Sequence, residues 1–202
     1  LDFGGQYTQL IARRVREHHV RSTILPFNVA ADELRKHSPE GIIFSGGPSS
    51  VFEDGAPHSD PGILALGIPV LGICYGQQLI SYQLGGTVRP APKREYGRAH
   101  IEVVEQSALF AEVPEQLPVW MSHGDEVEQL PAGFKLTAKT GTTLGAIENA
   151  AKKIYAVQFH PEVRHTAHGE QILSNFLFDV CQARPDWVPQ AFIDHTVAEV
   201  KK

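Results

Sequence analysis

The segment Gly72-Ile73-Cys74-Tyr75-Gly76 constrains the fold of this chain more than any other part of it. It lies between an apolar, strand-like run at residues 68–73 and a helical pattern at residues 76–84. A nucleophile with a glycine two residues away on each side is typical of a sharp strand-to-helix turn, where a bulkier neighbour would collide with the backbone. Such a turn displays the Cys74 side chain above the sheet, and the positive end of the helix dipole favours its thiolate. The alternative is that Cys74 is a small buried apolar residue, as most lone cysteines are.

Strand-like and helical runs alternate through the first half of the chain. Residues 1–3 and 41–44 have the pattern of strands, and residues 6–19 that of a helix with Leu10, Ile11 and Val15 on one face. This alternation predicts βαβ units, which build a parallel sheet.

The second half has a different pattern. Short alternating runs at residues 100–104, 118–121, 134–137 and 154–159 are separated by turn residues, and an amphipathic helical pattern follows at residues 169–181. We therefore predict an α/β fold with a mostly parallel open sheet, flanked by helices, that includes an antiparallel or mixed section.

The composition of the chain excludes several classes of protein. Its 202 residues include 18 Lys and Arg against 23 Asp and Glu, a net charge of −5, and the basic residues are scattered. This gives no electrostatic footprint for nucleic acid, and no apolar run approaches the roughly 20 residues of a membrane span. With two cysteines, Cys74 and Cys181, and no signal peptide, we expect no disulfide, no membrane partner and a cytoplasmic protein.

A cysteine that transfers acyl groups needs a general base and an anion that orients the base. His160 follows the apolar run at residues 154–157, and α/β sheets display functional groups at strand ends. Glu162, two residues further on, is close enough to reach the imidazole. We predict His160 as the base and Glu162 as its orienting carboxylate. Several other histidines lie among polar residues and are interpreted as solvent-facing: His18, His19, His37 and His58.

The third candidate motif is Ser45-Gly46-Gly47-Pro48, directly after the predicted strand at residues 41–44. Glycines at a strand end leave backbone N–H groups free to stabilise an oxyanion. The same sequence is also common in ordinary turns. A phosphate-binding loop is excluded because no Gly-Lys-Ser/Thr follows, and we expect no bound metal.

Three motifs resemble, in this order, those of the class I, triad-type glutamine amidotransferases: Ser45-Gly46-Gly47-Pro48, Gly72-Ile73-Cys74-Tyr75-Gly76-Gln77-Gln78 and His160-Pro161-Glu162. The resemblance extends over nearly the whole chain and implies a flavodoxin-like fold. Residues 1–17, 121–125 and 160–166 are more narrowly similar to the glutaminase domain of the GMP synthase family. Minor departures from that family's pattern, at Gly5, Gln77 and Arg164, leave the triad intact.

The resemblance implies a role for each motif residue. Cys74 would attack the side-chain amide of L-glutamine, His160 would act as base and then as acid, and Glu162 would orient His160. The backbone N–H groups of Gly47 and Tyr75 would form the oxyanion hole. The glutamine pocket would be lined by Gln78, Ser122, His123, Gly124 and Asp125.

The resemblance also implies how the chain is organised. Residues 1–184 would be the amidotransferase domain, which needs no cofactor, and residues 185–202 a linker and the start of an ATP-pyrophosphatase synthetase domain. In the family, that domain uses ATP and Mg²⁺ to adenylate xanthosine 5′-monophosphate and aminate it to GMP, and we expect the full-length protein to be a homodimer. The nucleotide loop Ser-Gly-Gly-Val-Asp-Ser of that domain does not occur in this sequence.

Three alternatives remain open on sequence alone. Another class I amidotransferase, serving CTP, carbamoyl phosphate or anthranilate synthesis, would share the triad. A cysteine hydrolase of similar fold, such as a γ-glutamyl hydrolase, would work without a synthetase partner. A non-catalytic binding or regulatory module would use Cys74 for redox sensing or structure, but it would have no need of His160 and Glu162 at a strand end.

Overall fold

The strand-like runs of the sequence form one mixed sheet in the computed structural model, which describes residues 1–141 and 143–188. The strands are β1 (Ile42–Phe44), β2 (Val70–Ile73), β3 (Thr87–Val103), β4 (Gln116–Gln129), β5 (Lys135–Thr140), β6 (Thr143–Asn149) and β7 (Ile154–Val157). The helices are α1 (Thr8–Glu17), α2 (Ala31–Lys36), α3 (Tyr75–Gln83) and α4 (Gly169–Ser174), and α4 continues as a π-helix at Asn175–Val180. Short 3₁₀ turns occupy Pro61–Ala65, Ala108–Phe110 and Ala150–Lys152.

The described part of the sheet has seven strands in the order β1-β2-β7-β6-β5-β3-β4. β1, β2 and β7 are parallel, whereas each remaining pairing is antiparallel. The predicted α/β class with an antiparallel section is therefore confirmed. The antiparallel section is larger than expected because β3 and β4 are 17 and 14 residues long, and because the sequence analysis did not identify β6.

Apolar side chains cover both faces of the parallel strands. All four residues of β2 and all four of β7 are buried. Leu71 and Ile73 pack on one face of the sheet with α4 and the π-helix that continues it. Val70 packs on the other face with α3. Burial on both faces explains why these strands appear in the sequence as continuous apolar runs rather than as alternating ones.

The two ends of the described chain differ in detail from the predictions. Residues 1–3 form a parallel bridge between Asp2 and Pro26 rather than a regular strand, and the Ser45 N–H donates to the Leu1 carbonyl at 3.2 Å. The predicted helix at residues 169–181 is present as α4 and the π-helix. The predicted linker and start of a synthetase domain, residues 185–202, is described only to residue 188, and the remainder lies outside the described residues. Within the described residues, no helix has the length and apolar character needed to cross a membrane.

The register of the parallel strands brings the three candidate motifs to one edge of the sheet. Phe44 pairs with Gly72, and Gly72 pairs with Ala156, so the three strands end at nearly the same level. Carboxyl ends of parallel strands lie at a common edge. The segment after β1, the cysteine after β2 and the histidine after β7 are therefore neighbours.

Candidate active site

Cys74 lies in a strained turn between β2 and α3. Its φ and ψ angles are 55° and −106°, a conformation that is costly for a residue with a side chain. Its N–H donates to the Val157 carbonyl at 2.8 Å, which fixes the turn to β7. The flanking glycines are needed for space: a Cβ built on Gly72 would lie 2.7 Å from the Gly76 carbonyl carbon, and one on Gly76 2.5 Å from the Phe44 oxygen.

The structure brings Cys74, His160 and Glu162 together. A Cβ built on Gly46 would lie 3.0 Å from the His160 Cε1 atom and 3.6 Å from the Cys74 Cβ atom, so both side chains meet at Gly46. His160 Nδ1 is 2.7 Å from Glu162 Oε1, which leaves Nε2 to face the sulfur. The side chains of His160 and Glu162 are 5% and 0% exposed. The three side chains are therefore close enough together for the predicted roles of nucleophile, base and orienting carboxylate, which remain predictions.

The electrostatics of the site favour a charged imidazole. Burial alone lowers the pKa of His160, but hydrogen bonds and charge interactions with Cys74 and Glu162 outweigh burial and raise that pKa to about 10. At neutral pH the imidazole is therefore an imidazolium placed between a thiol group and a carboxylate. This charge state gives the imidazole a proton that it can donate.

Backbone contacts hold the segment that carries His160 and Glu162. Thr166 Oγ1 donates to the His160 carbonyl at 2.6 Å and accepts from the Trp120 N–H in β4 at 3.0 Å. Arg14 Nε donates to the Glu162 carbonyl at 3.0 Å. No local pattern in the sequence marks Arg14 or Thr166, although both lie within the segments similar to the glutaminase domain of the GMP synthase family.

The predicted oxyanion-hole residues are neighbours. A Cβ built on Gly47 would lie 3.4 Å from Tyr75 Cγ, and Tyr75 is the first residue of α3. The first N–H groups of a helix have no intrahelical acceptor, so the Tyr75 N–H is available to an anion. The Tyr75 side chain has a separate, structural place: its hydroxyl donates to the Pro57 carbonyl at 3.0 Å, and burial raises its pKa to about 12.

A cavity of about 720 Å³ opens above Cys74 and His160. The predicted pocket residues Gln78 and Ser122 to Asp125 all line it. Gln78 is buried, and its amide nitrogen donates to the Asp125 carbonyl at 2.9 Å and to Gln158 Oε1 at 3.2 Å. The lining also includes residues that the sequence analysis did not select, among them Tyr7, Phe52, Arg94 and Tyr96.

His123 lies on β4, the strand that contributes Ser122 to Asp125 to the cavity lining. Burial lowers its pKa, although nearby Glu95 acts in the opposite direction. His123 Nδ1 lies 2.9 Å from the Asp125 carbonyl and must carry a proton to donate there, while Nε2 is 3.3 Å from Glu95 Oε2. The Nδ1 contact therefore fixes the ring on β4 at the cavity wall, with Nε2 beside the Glu95 carboxylate of β3.

The second cysteine and the remaining histidines have different environments. Cys181 is half-buried, and burial raises its pKa to about 12, as expected for an unreactive thiol. His19, His37 and His58 are exposed, but the prediction for His18 is wrong: its ring packs edge-on against Phe178, and its Nε2 atom is buried. Within residues 1–141 and 143–188, no group of three or more His, Cys, Asp or Glu side chains could hold a metal ion.

The close approach of the Cys74 turn to β1 predicts the effect of Gly76→Ala. The new Cβ would overlap the Phe44 carbonyl, which the backbone can relieve only by moving. We expect the free energy of unfolding to fall by about 1–3 kcal/mol, and the rate of Cys74 alkylation by iodoacetamide to change with it. Urea denaturation and mass spectrometry measure the two effects.

Gly85→Ala is the matched control for this substitution. Gly85 has φ +86° and no atom within 4 Å of a built Cβ, so alanine there introduces only backbone strain. We expect a similar loss of stability, about 1–2 kcal/mol, with no change in Cys74 alkylation. Equal alkylation rates in the two variants would contradict a special role for the packing at Gly76.

The raised pKa of His160 predicts how its imidazole titrates. Because Cys74 and Glu162 hold that pKa near 10, Cys74→Ala and Glu162→Gln should each lower it, toward the value that burial alone favours. The folded-state pKa lies above the ordinary value of about 6.5, so this group stabilises the fold below pH ~6.5, and that contribution is lost as pH rises through about 10.

Ring resonances followed by NMR against pH measure the His160 titration. Cys181→Ala is the control, because it removes the other thiol and leaves the site untouched. An unchanged His160 titration in Cys74→Ala would show that the two side chains do not interact.

Comparison with known proteins gives the same family for most of the chain. The family model described as glutamine amidotransferase class-I matches residues 1–180. The glutamine-hydrolysing GMP synthase of Carboxydothermus hydrogenoformans is 52% identical over 203 residues, covering 100% of this chain and 40% of that protein. The corresponding enzyme of Brachyspira hyodysenteriae is 50% identical, with the same shares covered. The chain thus spans about 40% of the length of the curated relatives it matches.

Solved structures agree with this result. A Thermoplasma acidophilum protein assigned as one subunit of GMP synthase superposes with a TM-score of 0.78 at 33% identity, covering 90% of this chain and 92% of that one. A glutamine amidotransferase of Thermotoga maritima, at 23% identity and a TM-score of 0.56, shares the fold over 82% of this chain and 71% of that one. The chain belongs to the class I glutamine amidotransferase family.

Proposed function

We propose that this chain is the glutaminase part of a glutamine-hydrolysing GMP synthase, in which Cys74, His160 and Glu162 hydrolyse L-glutamine. The observation that carries the proposal is the position of the strained Cys74, beside an imidazole whose Nδ1 is 2.7 Å from a fully buried carboxylate. The name shared by the relatives supports glutamine as the substrate.

The first half of the reaction forms a glutamyl thioester. The Cys74 thiolate attacks the side-chain amide carbon of glutamine, and the N–H groups of Gly47 and Tyr75 donate to the resulting oxyanion. His160 donates its Nε2 proton to the amide nitrogen, the carbon–nitrogen bond breaks, and ammonia leaves. The imidazole is then neutral and the glutamyl group is bound to sulfur.

The second half of the reaction regenerates the enzyme. His160 Nε2 accepts a proton from water, and the resulting hydroxide attacks the thioester carbonyl carbon. The carbon–sulfur bond breaks and releases glutamate, with Cys74 again a thiolate beside an imidazolium. Glu162 accepts from Nδ1 throughout, so Nε2 remains directed at the reacting atoms.

Gln78 and the strand from Ser122 to Asp125 form the glutamine pocket in this proposal. Gln78 holds β4 in position at the pocket, because its amide nitrogen donates to the Asp125 carbonyl. The Ser122 carbonyl is 3.5 Å from the Cys74 sulfur, so the strand begins next to the nucleophile. A substrate lying along it would extend from the sulfur toward Gly124 and Asp125.

The ammonia is used in a second domain. We infer that residues 185–202 lead from the amidotransferase domain, residues 1–184, into a synthetase domain that uses ATP and Mg²⁺ to aminate xanthosine 5′-monophosphate to GMP. The share of the relatives that this chain covers, 40%, is consistent with such a division. The amidotransferase domain needs no cofactor, and the whole enzyme would be a cytoplasmic homodimer.

A diazoketone analogue of L-glutamine tests the proposed nucleophile. We expect the reagent to alkylate Cys74, and glutamine to protect Cys74 from it, because both compete for one pocket. Cys181 should stay unmodified, since its thiol has a raised pKa. Peptide mapping by mass spectrometry identifies the adduct. Labelling of Cys181 alone, or of neither cysteine, would exclude the proposed hydrolysis.

Substitution of the other two triad residues separates their roles. His160→Ala removes the proton donor and acceptor and should lower kcat by about 10²–10⁴-fold. Glu162→Gln should lower kcat less, because it weakens the orientation of a base that is still present. Ammonia release measured with purified protein gives both values, and His37→Ala, at an exposed position, is the control. Complete loss in both variants would mean that Glu162 has a further role.

A further inference from the structure

Arg94 is an unpaired cation at the glutamine cavity. Nearby on β3, Arg89 pairs with Glu126 and Glu128, and Glu95 Oε2 lies 3.3 Å from His123 Nε2, whereas Lys93 is an exposed cation that does not line the cavity. Arg94 lines the cavity with Cys74 and His160, is exposed, and forms no ion pair among the described residues. Its guanidinium is therefore available to a ligand.

An irregularity in the β3–β4 pairing places Arg94 over the cavity. Pro90 pairs with Asp125 and Glu95 with His123, so five residue steps on β3 face two on β4. The surplus residues on β3 fall outside the regular pairing, and such irregularities bend the strand that carries them. The Arg94 side chain lies along Gly124: a Cβ built there would be 3.7 Å from Arg94 Nε and 3.9 Å from its Cδ.

The distance between the two ends of the cavity fits glutamine. The Ser122 carbonyl is 3.5 Å from the Cys74 sulfur, and Gly124, two residues on, shares the same strand face. Two residues of a strand span about 7 Å. Four carbon–carbon bonds separate the side-chain amide carbon of glutamine from its α-carboxylate and span about 5 Å when extended. A glutamine held at Cys74 therefore brings its α-carboxylate to the level of Gly124 and Arg94.

Of the charged residues that line the cavity, Arg94 is best suited to bind the α-carboxylate. Away from Cys74 and His160, the charged lining residues besides Arg94 are Glu53 and Asp125, which would repel a carboxylate, and His123, whose pKa is lowered by burial. A guanidinium suits a carboxylate because its parallel N–H groups donate to both oxygens. We infer that Arg94 binds the α-carboxylate of the substrate glutamine and so selects α-amino-acid amides over simple amides. This inference rests on the proposed glutaminase function.

The test compares two reagents that alkylate Cys74 in the 202-residue chain. The diazoketone analogue of L-glutamine carries an α-carboxylate, whereas iodoacetamide does not. Arg94→Met should lower the second-order rate of diazoketone labelling by about tenfold to hundredfold, the usual effect of losing a charge-assisted hydrogen bond. Labelling by iodoacetamide should stay unchanged, and Arg94→Lys should give an intermediate rate. Lys93→Met is the matched control, since Lys93 is an exposed neighbouring cation that does not line the cavity.

Protection experiments identify which group of the ligand Arg94 binds. Glutaramic acid keeps the carboxylate of glutamine and lacks its α-amino group, and γ-aminobutyramide keeps the amino group and lacks the carboxylate. Arg94→Met should weaken protection of Cys74 by glutaramic acid and leave protection by γ-aminobutyramide unchanged.

The other outcomes would overturn either the inference alone or the inference together with the proposed function. Equal slowing of both alkylating reagents would show that Arg94 acts on the structure of the site, and no slowing would show that it does not bind the substrate; either result overturns the inference alone. If the diazoketone fails to label Cys74 in the unsubstituted chain, or glutamine fails to protect it, the proposed glutaminase function fails and the inference fails with it.

Discussion

The close packing of the Cys74 turn between β1 and β7 is the constraint on which the rest of the site depends. A non-glycine residue in this conformation costs about 1–3 kcal/mol, and the surrounding structure must hold it there. The Val157 carbonyl accepts the Cys74 N–H at 2.8 Å, and Gly76 lies against the Phe44 carbonyl with no room for a Cβ. Because β2 and β7 are fully buried, the cost of the strain is offset by the central part of the core.

The charged groups of the site depend on one another in the same way. Glu162 is fully buried, and one of its carboxylate oxygens has no hydrogen-bond partner among the described residues. Such a group is costly unless an opposite charge lies beside it, and the imidazolium of His160 is that charge. Because Arg14 and Thr166 hold the backbone on either side, the carboxylate keeps its orientation with a single side-chain hydrogen bond.

Patterns in consecutive residues predicted the parallel strands and the Cys74 turn. Contacts between residues far apart in the sequence could not be predicted in this way. The apolar runs of β2 and β7 and the glycines around Cys74 each constrain a few consecutive residues, so their patterns are visible in the sequence. The bond from Arg14 to the Glu162 carbonyl joins residues 148 positions apart, and no local pattern indicates such a contact. The bulge that places Arg94 over Gly124 depends in the same way on the pairing of two long strands.

The proposed catalytic residues and the proposed substrate-binding residues lie on different parts of the sheet. The parallel strands β1, β2 and β7 present the proposed oxyanion-hole, nucleophile and base segments, whereas the antiparallel pair β3 and β4 forms one wall of the cavity. The His160 N–H donates to the Trp120 carbonyl, and Thr166 accepts from the Trp120 N–H, so β4 is fixed to the catalytic segment two residues before Ser122. From Ser122 onward, this wall is formed by paired residues of β3 and β4. Changes in the bulge can therefore alter the cavity beside Arg94 while the position of His160 relative to Cys74 stays the same.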